Sequence, residues 1–199
     1  MVRRAALASF LVLLLSAANV LAATKTVSIY SSYYSPVSVK VAMGGSVKWA
    51  NTTGKKHSVA SDTSFLATWF FPTRTVSPHT TSSPVTFPEA GTFAYHDTLH
   101  SALHGTVVVP MTVDATVISL GESVTLTLGT VPASQGGPVW HDVQGRVNGG
   151  SWTTIASTSG NMFVWKPTTS GTWELHTRLH HALSGANTGF SPIVTVTVS

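Results

Sequence analysis

The sequence predicts an all-β protein made of two β-sandwiches in tandem, and three observations carry that expectation. From Thr24 onward, short runs of Val, Thr, Ser and aromatic residues are broken by Gly, Pro and Asn, the pattern of small antiparallel sandwiches. No stretch sustains a 3.6-residue apolar period, so helix is expected to be minor. Pro110 closes one strand run and a new strand pattern restarts near Val113. That restart places a boundary between domains at 23–110 and 111–199, each small but large enough to bury a core.

Taken in order, the first domain is expected to hold strands at Thr26–Tyr30, Val37–Val41, Ser46–Ala50, Val85–Phe87, Thr92–His96 and Thr106–Val109. The second set is expected at Ala115–Ser119, Ser123–Leu128, Val139–Val143, Trp152–Ser157, Met162–Trp165, Trp173–Arg178 and Ile193–Val198. Each run is rich in β-branched or aromatic residues, which fit a pleated, half-buried surface. Residues 1–22 read instead as a secretory signal peptide. Arg3 and Arg4 precede an apolar run from Ala5 to Ala18, and a cut after Ala22 is expected. The run is shorter than the roughly 20 residues that span a bilayer, and no Cys follows it to carry a lipid. The expectation is a secreted, periplasmic or cell-surface protein with no transmembrane segment.

Composition narrows the function. Charged residues make up 9% of the chain, against about 25% in an ordinary domain. The net charge of +4 comes from 11 basic and 7 acidic residues. Arg3 and Arg4 belong to the leader, so the exported chain is close to neutral. Apart from Lys55-Lys56 the remaining Lys and Arg are scattered, which excludes nucleic-acid binding through a basic patch. With 43% hydrophobic residues the chain is not disordered. The absence of Cys excludes disulfides and every thiolate-ligated metal. No paired catalytic carboxylates, Ser-His-Asp order or phosphate loop is found, so a binding protein is expected rather than an enzyme. Nine histidines in so uncharged a chain are the feature to follow.

Two segments carry them. Tyr34 to Asn51 reads as two strands joined by Gly44-Gly45, with His57-Ser58-Val59 six residues on; 87–109 reads FPEAGTFAYHDTLHSALHGTVVV. On the strand ending at Asp97, side chains alternate faces. Phe93, Tyr95 and Asp97 share the aromatic, inward face; His96 lies on the other. An inward carboxylate must be neutralised, hydrogen-bonded or metal-bound.

Over residues 27–109 these segments resemble the cupredoxins of the plastocyanin, pseudoazurin and amicyanin kind. In that family a first His ligand follows a Trp-x-Asn strand, and Cys-x-x-His-x-x-Met precedes Gly-x-Val-x-Val. His57 matches the first ligand, His100 the loop His, and Gly105–Val109 the closing strand. The resemblance implies a Greek-key sandwich with copper bound at one end, in electron transfer with a redox partner or in copper holding and delivery. Asp97 stands in the place of the Cys and Leu103 in the place of the Met. The implied site is therefore His57, Asp97 and His100, a two-imidazole, one-carboxylate set that suits Cu(II) or Zn(II) without the blue chromophore. His104 would join it if the loop bent back. Leu103 is expected to form an apolar lid, and His79 to be solvated. The alternative is a metal-free scaffold or adhesion protein in which Asp97 only hydrogen-bonds the histidines.

The second half resembles the immunoglobulin-like or fibronectin-like modules of bacterial exported proteins, which implies a sandwich of about seven strands. It also echoes the first half. Residues 91–105 and 171–185 share eight of fifteen positions, so a degenerate copy of the first domain is the other reading. In that echo His141 and His180 align with the two histidine ligands and Thr177 with Asp97, which argues against a second site of the same kind. Trp152, Trp165 and Trp173 are expected in the core, the other option being a sugar-binding face.

Overall fold

The computed structural model describes residues 23–199; the expected leader at 1–22 lies outside the described residues. The first half holds β1 (Thr24–Ile29), β2 (Tyr34–Ser35), β3 (Ser38–Lys40), β4 (Gly45–Asn51), β5 (His57–Ser61), a single turn α1 (Ser64–Ala67), β6 (Arg74–Val76), β7 (Val85–Phe87), β8 (Gly91–His96) and β9 (His104–Val109). The second holds β10 (Thr112–Val113), β11 (Val117–Ile118), β12 (Val124–Thr127), β13 (Val139–Val147), β14 (Thr153–Thr158), β15 (Met162–Trp165), β16 (Gly171–His181) and β17 (Val194–Val198). The protein is all-β, as its sequence predicts. Among the described residues no helix is long and apolar enough to cross a membrane.

Each half stacks two sheets. In the first they run β2-β1-β4-β7 and β3-β9-β8-β5-β6; in the second, β10-β12-β15 and β11-β17-β16-β13-β14. The larger sheet thus has the same connectivity in both halves. Its outer strand pairs parallel with the last strand, β3 with β9 and β11 with β17, and the other pairs are antiparallel.

Alternation builds the core. In β4, residues Val47 and Trp49 are buried on one face, and in β8 Phe93 and Tyr95 are buried in the same way. With Tyr34, Phe71 and Phe87 they form a fully buried aromatic cluster, in which truncating one Phe to Ala costs about 3–5 kcal/mol. The face opposite Phe93 and Tyr95 is half-buried and polar or small. This places Asp97, next on the inward series, at the end of the core.

The halves share buried residues. Ala133, Val139 and Leu179 of the second half belong to the first half's core cluster, and Ala90 of the first belongs to the second's. Between them Glu89 and His141, both without solvent exposure, meet at 2.9 Å through Oε2 and Nε2. Burial raises the Glu89 pKa, and the bond to His141 offsets part of that rise. Gly129 admits this carboxylate: a Cβ there would stand 1.9 Å from Glu89 Oε2 and 2.9 Å from the Val131 carbonyl.

Trp165 is buried as expected, and Trp173 packs half-buried against the same cluster. Trp152 does not enter the core. It stacks on His176 at 3.8 Å between ring centroids, and His176 stacks on Phe190 at 3.9 Å. Arg146 lies over Trp152 and Arg178 over Phe190, closing both ends of the column. Burial, then the two guanidinium charges, lower the His176 pKa to about 4.

Candidate metal centre

The site is assembled by a loop after β4 and a loop after β8. Asn51, at the end of β4, is buried and holds the first loop. Its amide donates to the carbonyls of Lys55, Val76 and Ser77, and its Oδ1 accepts from the Thr53 amide and hydroxyl at 2.9 Å each. Thr53 Oγ1 also lies 3.0 Å from His57 Nε2, which anchors the ring and turns Nδ1 inward.

There Nδ1 of His57 lies 2.6 Å from Asp97 Oδ2, and Nδ1 of His100 lies 3.1 Å from the same oxygen. The two rings are 4.4 Å apart between centroids. His57, Asp97 and His100 each bring a ligand atom within 4.8 Å of the others. His57 and Asp97 are buried, and His100 is the one that reaches solvent, at 30%.

The other carboxylate oxygen is held separately. Asp97 Oδ1 accepts 2.9 Å bonds from the Ser58 amide, the Ser58 hydroxyl and the Leu99 amide. Burial pushes the Asp97 pKa up, but these bonds and the His57 contact outweigh it and hold the carboxyl below its ordinary value. Burial and the Asp97 charge push the Tyr34 phenol upward, and Tyr34 donates to the Ser58 carbonyl at 3.1 Å.

Two imidazole nitrogens therefore face one ionised oxygen. Either the Nδ1–H of His57 donates to this oxygen, or a metal ion stands where that proton would be. Ligand atoms on a tetrahedral zinc at about 2.0–2.1 Å stand roughly 3.3 Å apart. The His100 spacing is close to that, and the His57 spacing requires a small opening.

The remaining candidates lie elsewhere. Leu103 is buried in the core cluster behind the loop. His104 is exposed; it opens β9 and pairs across the ladder with His96, away from the other three. Its neighbours Gly105, Val107 and Val109 point inward, so strand alternation sends His104 outward and the loop does not bend it back. Thr53, Ser58 and Asn51 complete the site, and of these only Asn51 is foreshadowed, by the Trp-x-Asn pattern.

The second half has an equivalent position. The pair Ala60↔His96 on β5 and β8 corresponds to Gln144↔His176 on β13 and β16. In the same register His57 corresponds to His141 and Asp97 to Thr177. Thr177 Oγ1 lies 3.5 Å from His141 Nδ1, and Glu89 satisfies the other nitrogen. His180 does not join them. β16 runs on to His181, and alternation turns His180 to the opposite face, toward Asp142.

No protein-family model and no curated protein matches the chain. Among solved structures, a reduced amicyanin variant is 28% identical over 43% of this chain and 81% of its own length, with a TM-score of 0.38. An oxidised amicyanin variant is 29% identical over 43% and 80%, with a TM-score of 0.37. Amicyanin from Paracoccus versutus is 24% identical over 43% and 80%, with a TM-score of 0.36.

Proposed function

We propose that the chain is an exported copper-binding protein of cupredoxin type, holding one Cu(II) through Nδ1 of His57, Nδ1 of His100 and the carboxylate of Asp97. The observation that carries this reading is the convergence of two imidazole nitrogens on one buried, ionised oxygen. The order of motifs in residues 27–109 supports it independently. Bound copper would supply a redox-capable centre open to partners on the His100 side. A carboxylate in place of a thiolate favours the oxidised ion, so copper holding or delivery to a partner protein suits the site better than rapid electron transfer. The sheet order of the second half, with strands β10, β12 and β15 in one sheet and β13, β16 and β17 in the other, matches that of the first half and fits an immunoglobulin-like module or a degenerate copy of the first domain.

A metal-free scaffold is the second reading. It is favoured by the 2.6 Å His57–Asp97 contact, which a proton alone satisfies. Calorimetric titration of Cu(II) into residues 23–199 separates the two. The metal reading expects a tight equivalent that Asp97→Ala removes, and a pale solution. A chain that takes up no copper, or an Asp97→Ala variant with unchanged affinity, leaves the scaffold reading.

A further inference from the structure

We propose that the outer face of the β8–β9 ladder carries a second metal site, in which His96 and His104 bind a divalent ion of the zinc–copper class and Asp62 orients His96. The site is separate from the one above and does not depend on it.

Three features of this face converge. His96 and His104 stand directly opposite each other on adjacent antiparallel strands. The Asp97 amide donates to the Leu103 carbonyl, which makes 97/103 the hydrogen-bonded pair and 96/104 the neighbouring non-hydrogen-bonded one. In such pairs the Cα atoms approach to about 4.5 Å and the side chains run closest together. Their ring centroids are 6.2 Å apart. A tetrahedral ion bonded at about 2.0–2.1 Å to one nitrogen of each ring holds the centroids roughly 5 Å apart, so the two exposed rings need close by only about 1 Å to bridge one.

Asp62 supplies the second feature. Its amide donates to the Ala94 carbonyl, which seats it on the edge of β8, and its Oδ1 takes the Nδ1–H of His96. That bond leaves Nε2 of His96 as the free lone pair. A carboxylate behind a histidine is the arrangement that fixes ligand tautomers and raises their basicity in metal sites.

The third feature is access. The neighbours on the same face, Ala60 opposite His96 and the next ladder pair Ala94↔Thr106, are small. His96 and Asp62 are 32% and 38% exposed, and His104 is exposed. An ion reaches the two rings from solvent and completes its coordination with water. Imidazole donors without sulfur select zinc, copper or nickel over calcium or magnesium.

The test is calorimetric titration of Zn(II) into chelator-treated residues 23–199. One ion per chain is expected at this face, in addition to any held at the inner site. His96→Ala and His104→Ala should each remove this ion and no other. Asp62→Asn should keep it and weaken its binding about 10–100-fold. Long-range proton–nitrogen spectra of the unmutated protein give a second readout, with zinc shifting a ring nitrogen of both His96 and His104. Stoichiometry unchanged in His96→Ala and His104→Ala, or zinc-insensitive ring nitrogens at both residues, overturns the proposal. Asp62→Asn binding at full affinity overturns the role given to Asp62. Zinc lost only when His57 and His100 are changed would place the ion at the inner site alone, and also overturns it.

Discussion

Asp97 is the residue on which the inner site turns, and its direction was legible because a strand has period two. Phe93 and Tyr95 announce the core face, and Asp97 follows them inward. The same arithmetic explains the residue that was misplaced. β9 starts at His104 itself, one residue ahead of the motif's glycine, so His104 faces out. What held Asp97 in place was not legible. Ser58 acts through hydrogen bonds that exist only once β5 and β8 lie side by side, and no local spacing encodes them. Asp97→Cys should place a thiolate beside the same two Nδ1 atoms and turn the Cu(II) form deep blue or green. Visible absorption reads this directly. A colourless copper complex of that variant would mean that position 97 does not bond the ion.

At the scale of elements, the repeated sequence at 91–105 and 171–185 becomes a repeated strand in matching register, yet the two strands end differently. β8 stops at His96 and releases a loop that delivers His100. β16 continues to His181, so the corresponding His180 stays on the outer face. Sequence identity was visible and strand length was not, because where a strand ends depends on pairing partners: β13 runs opposite β16 along its full length. The column on that face was also missed, since Trp152, His176 and Phe190 come from three separate segments. It carries a pH signature. The His176 pKa of about 4 lies below the ordinary 6.5, so between those values the unfolded chain binds more protons than the folded one. Its contribution is present above 6.5 and is lost as pH falls toward 4. His176→Phe, which keeps a stacking ring, should flatten the stability loss across that window in denaturant titrations at pH 7 and 4.5. Parallel loss in both proteins would show that His176 protonates freely in the fold.

For the whole molecule, the expected two-sandwich architecture is present as two pairs of sheets, but nothing in the sequence announced how much the halves share. A buried Glu and a buried His each look unremarkable until the fold brings Glu89 to His141. Gly129 marks the junction. Gly129→Ala would force the Glu89 carboxylate from its partner and crowd the Val131 carbonyl, and a buried polar group left without its hydrogen bond costs about 1–3 kcal/mol. The urea midpoint should drop accordingly; an unchanged midpoint would mean that the junction yields. The inner metal site would be seen outright in an anomalous difference map at the copper edge. The crystals would be of residues 23–199 grown with Cu(II). A peak is expected bonded to Nδ1 of His57, Nδ1 of His100 and a carboxylate oxygen of Asp97, at about 2.0–2.2 Å from each. Copper found elsewhere on the molecule, with no density between these three side chains, would contradict it.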